Sequence, residues 1–154
     1  MVRALFVILA ISVIFFFFGY KPESNTVYVY ENNIIRIGKN TFFVEIADNS
    51  ISRSKGLSMR DKIEPNQGML FVFDKPDIHG FWMKDMSFSI DILWVDENFV
   101  INHIEKNVSP ETYPKVFYPP TTSLYVLELL SGSVDIFDIK KGDSIILEKN
   151  NTVF

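Results

Sequence analysis

Cysteine is absent from the 154 residues. That excludes disulfides, thiolate nucleophiles, cysteine-ligated zinc or iron-sulfur centres, and lipid attachment through an N-terminal cysteine. Histidine is scarce: His79 and His103 are the only two, and neither has a second ligand nearby in sequence, so both read as structural or surface residues and no metal site or cofactor is expected. The seven glycines stand singly, so there is no glycine-rich loop to cradle a phosphate. None of Ser58, Ser87, Ser89 and Ser123 lies in a nucleophile-elbow pattern. No basic run occurs, and a formal charge of -4 with a pI near 5.1 argues against a broad nucleic-acid-binding surface.

What is present is apolar and aromatic. Hydrophobic residues make up 47% of the chain, and 15 are phenylalanine, enough to fill the core of one domain with an appendage to spare. The appendage comes first. Residues 4–18 carry no charge and follow Arg3; with Val2 and Gly19 the run would make a helix of roughly 26 Å, slightly short of a bilayer core. Tyr20, Lys21 and Pro22 come next instead of the small residues a signal peptidase prefers. Residues 1–20 therefore read first as an uncleaved signal anchor and second as a cleaved signal peptide. A buried helix of a soluble fold comes third, for want of a polar face. Arg3 weakly directs the short end to the cytoplasm and the domain outside, leaving the chain membrane-anchored through residues 2–19, or secreted if the signal is cleaved.

Residues 21–33 read as a linker with a first short strand over 27–30, and residues 34–154 as the domain. A hairpin over 34–47 turns near Gly38. Asp48, Asn49 and Ser50 can each cap a short helix that Gly56 stops. Further strands are expected over 69–73, 90–95, 99–106, 124–130 and 144–148, with a single helical turn over 134–139. Asp96-Glu97-Asn98 joins two of the strands as an antiparallel hairpin. Residues 107–123, with four prolines and Tyr113, Phe117 and Tyr118, form a long irregular connection of the kind that often carries function. The fold class is mainly β (α+β): a small closed antiparallel barrel-like domain with one or two short helices.

Residues 80–96 organise the rest, holding both tryptophans and three aspartates. As a strand, 90–95 places Ile90, Ile92 and Trp94 on one face and Asp91, Leu93 and Val95 on the other, so both faces are apolar and Asp91 is the exception. Glu128 is the same exception on the strand over 124–130, sharing its face with Leu124, Val126 and Leu130. A carboxylate among apolar neighbours needs hydrogen bonds or a cation, or must stay protonated.

Gly56-Leu57-Ser58-Met59-Arg60, Gly68-Met69-Leu70-Phe71-Val72-Phe73, Phe81-Trp82-Met83-Lys84 with Ile90-Asp91-Ile92-Leu93, and Tyr125-Val126-Leu127-Glu128-Leu129 with Gly132 together resemble the domain of unknown function 192 family, from about residue 40 to 148. Asp85 departs from it, standing where the family usually has Asn, and Ser58 occupies a position that is usually apolar or small. The resemblance implies a compact barrel-like β fold with a short helix, often behind a signal peptide or anchor. It implies no activity.

Three readings of the acids stay open. Arg60 or Lys84 could neutralise them in a network that locks the fold; Arg60, Trp82, Lys84, Asp85, Asp91 and Glu128 could converge on a small ligand; or Asp91 and Glu128 could work as a catalytic carboxylate pair, which needs roughly 5 to 10 Å between them. Trp82 beside a pocket would suit stacking on a sugar or on a hydrophobic partner; buried, it is core. Met59, Met69, Met83 and Met86 fit core packing better than a soft-metal surface. Asn107-Val108-Ser109 and Asn150-Asn151-Thr152 match the glycosylation sequon. The expected function is an extracytoplasmic binding or interaction module whose partner is a small molecule or an envelope protein. A hydrolase or a structural accessory of an envelope complex is the alternative.

Overall fold

A computed structural model describes residues 33–149. The hydrophobic run at 2–19, the linker with the strand expected over 27–30, and the sequon at 150–152 lie outside them. Among the described residues no helix is long and apolar enough to cross a membrane.

The chain runs β1 (Asn33–Ile37), β2 (Asn40–Ala47), α1 (Ser50–Lys55), β3 (Gln67–Asp77), β4 (Phe81–Trp82), β5 (Ile90–Val95), β6 (Ile101–Val108), a 3-10 turn at Pro110–Thr112, β7 (Val116–Phe117), β8 (Ser123–Leu130), α2 (Ser133–Ile136) and β9 (Ile145–Lys149). Seven strands make one sheet in the order β6-β5-β8-β3-β2-β1-β9, and β4 pairs with β7 in a separate ribbon.

The large sheet curls into a half-barrel, and its edge strands meet at one bridge, Val100 with Ser144, not along a full ladder as a closed barrel would require. It is also not wholly antiparallel, because β2 and β3 run parallel. A parallel pair needs a crossover of a dozen residues or more. Residues 48–66 supply it and carry α1. The helix begins where the sequence marks it: Asn49 Oδ1 accepts from the N–H groups of Ile51 and Ser52 at 3.1 and 3.0 Å, and the Ser52 hydroxyl accepts from Asn49 N–H in return. It ends at Gly56, whose φ of 51° suits a residue without Cβ. The crossover buries two of its own side chains, Leu57 and Ile63, in the core on one face of the sheet.

Core side chains fill both faces of the central strands, as the two-faced apolar pattern of 90–95 predicts. Inside the curl lie Ile35, Phe42, Val44, Leu70, Leu93, Val95, Leu127, Leu129 and Ile145. On the outer face Met69, Phe71, Ile90, Ile92, Trp94 and Val126 pack under the β4–β7 ribbon and the crossover. Every residue of β5 is buried. Gly68 lets β3 and β8 close on each other, since a Cβ there would sit 2.3 Å from the Glu128 carbonyl oxygen.

Candidate functional site

Strand register decides what the two buried acids can do. Asp91 lies opposite Leu129, and Ile92 opposite Glu128. Directly opposed side chains share a face, so Asp91 points into the curl with Leu129 while Glu128 points outward with Ile92. They are on opposite sides of one sheet. The expected convergence of Asp91 and Glu128 does not occur, and the pair cannot flank one scissile bond.

Asp91 is fully buried and fully used. Its Oδ1 accepts from Asn107 N–H at 2.8 Å and its Oδ2 from Val134 N–H at 2.9 Å. Backbone groups, not the basic side chain expected, thus satisfy it. One bond holds the end of β6, where Asn107 takes a φ of 54°. The other holds α2 against the sheet.

Glu128 has no such support. It sits in a row across the outer face, with Glu45 paired to Met69 and Met69 to Glu128. Two strand spacings, about 10 Å, separate the carboxylate-bearing positions, and Arg60 from the crossover lies over the row. Arg60 is committed to Glu45 by a two-pronged ion pair, with Nη2 to Oε2 at 2.8 Å. Glu128 therefore feels Arg60 only at a distance. Its Oε2 is sealed from solvent and accepts no hydrogen bond. Burial pushes the carboxyl up to about 8, with the attraction of Arg60 acting the other way. At neutral pH Glu128 is mainly a protonated acid, able to donate as well as accept.

Glu128 lines a cavity of about 400 Å³. The side chain is 5% exposed. The rest of its lining includes Phe71, Phe73, Phe81 and Met86, the end of α1 (Arg53, Lys55, Gly56, Leu57), and Trp82, Lys84 and Asp85. The aromatic wall is held edge to face: Phe71 and Phe73 each meet Phe81 at nearly right angles, with centroids 4.8 and 6.5 Å away. Arg53 rests over Phe73 and donates to the carbonyls of Asp48 and Val72. Met59 N–H donates to the Asp85 carbonyl at 2.9 Å, tying the chain after α1 to the chain after β4. Asp85 has a φ of 56°, a conformation that Asn and Asp tolerate better than most residues.

Of the residues expected here, Glu128, Trp82, Lys84 and Asp85 are brought together, Arg60 stands behind them, and Asp91 is elsewhere. Lys84 is exposed on the rim and makes no ion pair among the described residues. Trp82 is 52% exposed, whereas Trp94 is completely buried and donates its indole N–H to the His79 carbonyl. The His79 ring stacks on Phe73, and burial lowers its pKa. Three site features were not anticipated from sequence: the Glu45 partner of Arg60, the phenylalanine wall, and Arg53 and Lys55 on α1. The helix stop at Gly56 is the sequence signal that could have led to the last of these, because a short cap followed by a glycine leaves the basic end of the helix beside whatever packs there. No group of three or more His, Asp or Glu side chains among the described residues could hold a metal ion.

No curated protein matches the chain. Among solved structures, one from Sinorhizobium meliloti 1021, named as a candidate transcription regulator, is 27% identical with a TM-score of 0.71, covering 75% of this chain and 92% of that one. Another, of unknown function, from Novosphingobium aromaticivorans DSM 12444, is 27% identical with a TM-score of 0.70, covering 73% of this chain and 83% of that one. The family DUF192, an uncharacterized ACR, matches residues 33–147, and those residues include every element from β1 to the body of β9. This chain belongs to the DUF192 family.

Proposed function

We propose that the domain is a small-ligand-binding module held outside the cytoplasm by an N-terminal anchor, with its site at the Glu128 cavity. One observation carries the site: a sealed acid with an unsatisfied oxygen borders a cavity with a preset aromatic wall. The sealed Oε2 is itself out of a ligand's reach, but Glu128 forms part of the cavity wall, and an isolated polar group among aromatic side chains is the usual make-up of a small-molecule pocket. The charge-free run after Arg3 supports the anchor.

Hydrolysis by Asp91 with Glu128 is not favoured, since the sheet lies between them. Nucleic-acid reading, which the name of the Sinorhizobium protein suggests, is opposed by the acidic chain; the longest helix among the described residues has six residues, too short for groove recognition. A protein-docking role has its own support in Trp82, Tyr113 and Tyr118, all exposed on and beside the β4–β7 ribbon.

The test uses the two tryptophans. A fragment library screened by emission should quench exposed Trp82 and leave buried Trp94 unchanged, with the hits lost in Glu128→Met. Hits indifferent to both Glu128→Met and Trp82→Ala would remove the cavity from consideration. For the anchor, alkaline carbonate extraction should leave the full-length chain in the membrane pellet; a shortened soluble chain would indicate cleavage instead.

A further inference from the structure

We infer that the ligand of this cavity is an acidic sugar: a pyranose carrying a carboxylate, its apolar face on Trp82, a hydroxyl at Glu128 and its carboxylate between Lys55 and Lys84. The inference rests on the binding role proposed for the cavity and specifies its chemistry.

Charge excludes one class first. Arg53, Lys55 and Lys84 line the cavity against Asp85 as the exposed acid, in a chain whose formal charge is -4. A cationic rim on an acidic protein repels an amine that might otherwise seek out Glu128, and draws in an anion. Lys55 ends α1 and Lys84 follows β4, and both line the cavity. Neither is held by a carboxylate among the described residues.

The interior asks for hydroxyls. Where Glu128 meets the cavity wall, a protonated carboxyl can either give or take a hydrogen bond, which suits an alcohol that does both. A carboxylate or phosphate could use only the donor, and a purely apolar ligand neither. The aromatic surface supplies the third element. Trp82 is half exposed beside the mouth, and Tyr113 lies against it with ring centroids 6.1 Å apart. Trp82 on the cavity wall with exposed Tyr113 beside it suits a ligand longer than one ring, with the terminal sugar on Trp82 and the next unit against Tyr113.

The experiment titrates the full-length chain with trigalacturonate, galacturonate, galactose and benzoate, reading Trp82 emission and calorimetry. Trigalacturonate should bind at least about tenfold tighter than galactose, and the difference should shrink as salt rises from ~0.05 to ~0.5 M. Lys55→Ala with Lys84→Ala should abolish the preference for galacturonate over galactose, the pair that differs in the carboxylate and not in length. Trp82→Ala should weaken all sugars by about tenfold. Glu128→Gln, which keeps a donor and an acceptor, should stay within about threefold of the natural chain, whereas Glu128→Met should lose binding; thermal unfolding of each variant verifies that it is folded. Equal affinity for galactose and trigalacturonate overturns the acidic-sugar assignment. So does tight benzoate binding with no sugar response, although Glu128-dependent benzoate binding would leave the binding role of the cavity standing. Silence toward all four probes also overturns the assignment, and the fragment screen then decides the cavity separately.

Discussion

Asp91 and Glu128 begin from the same circumstances: each is an acid on a central strand made up mainly of apolar residues, and the strands are neighbours. Asp91 meets two backbone N–H groups and Glu128 meets none. The difference follows from which face each side chain takes. Inside the curl, α2 and the end of β6 bring main-chain donors that strands no longer use. On the outer face, the arginine that might serve Glu128 is already committed to Glu45. Burial is common to both, so burial alone does not mark a working acid; the unmet hydrogen-bonding demand does.

The sharpest way to break this contrast is at Asp91. Asp91→Ala leaves two N–H groups buried without acceptors and should cost about 4 kcal/mol in chemical denaturation, with no change in ligand binding at the Glu128 cavity once the protein is folded. A loss of binding in folded Asp91→Ala would mean that the two faces are coupled.

The next effect is pH dependence at Glu128. Its folded pKa of about 8 lies above the ordinary carboxyl value of 4.5, so the folded state holds a proton that the unfolded state has released. This contribution is complete below pH 4.5 and is lost as pH rises through 8, a decline of order 4 kcal/mol. Glu128→Met should flatten that part of the profile and exceed the natural chain in stability at pH 8, as measured by urea unfolding across the range. An unchanged slope would show that Glu128 does not carry it.

Arg60→Met should cost about 2 kcal/mol by leaving Glu45 alone. It should also raise the Glu128 titration midpoint further, readable by carboxyl carbon NMR. The smallest change is Asp85→Asn, which keeps a residue tolerant of the left-handed region; it should alter stability by less than about 0.5 kcal/mol, whereas Asp85→Val should cost about 1–2 kcal/mol for its positive φ.

Much of the fold was legible because it was written locally. The Asn49 cap, the Gly56 stop, the turn after Gly38, the Asp96 turn and the two-sided burial of 90–95 all depend on residues within a few positions of one another. The parallel β2–β3 pairing was not legible, because nothing in a strand's own pattern states its partner's direction. The site was half legible. Period-two alternation flagged Asp91 and Glu128, and in fact places them on opposite faces only once the cross-strand register is known; the Ile92–Glu128 alignment is a property of two strands, not one. Glu45 escaped notice for the same reason, since its link to Arg60 is made by the crossover.

The hydrogen bond from Met59 to the Asp85 carbonyl has a consequence for relatives of this protein. It ties the chain after α1 to the chain after β4 with main-chain atoms at two left-handed positions, so this link beside the cavity does not depend on the side chains that line it. Exchanging Lys55, Trp82 or Lys84 would then alter what is admitted without breaking the link. A lineage could in this way retune its selectivity one residue at a time on an unchanged frame.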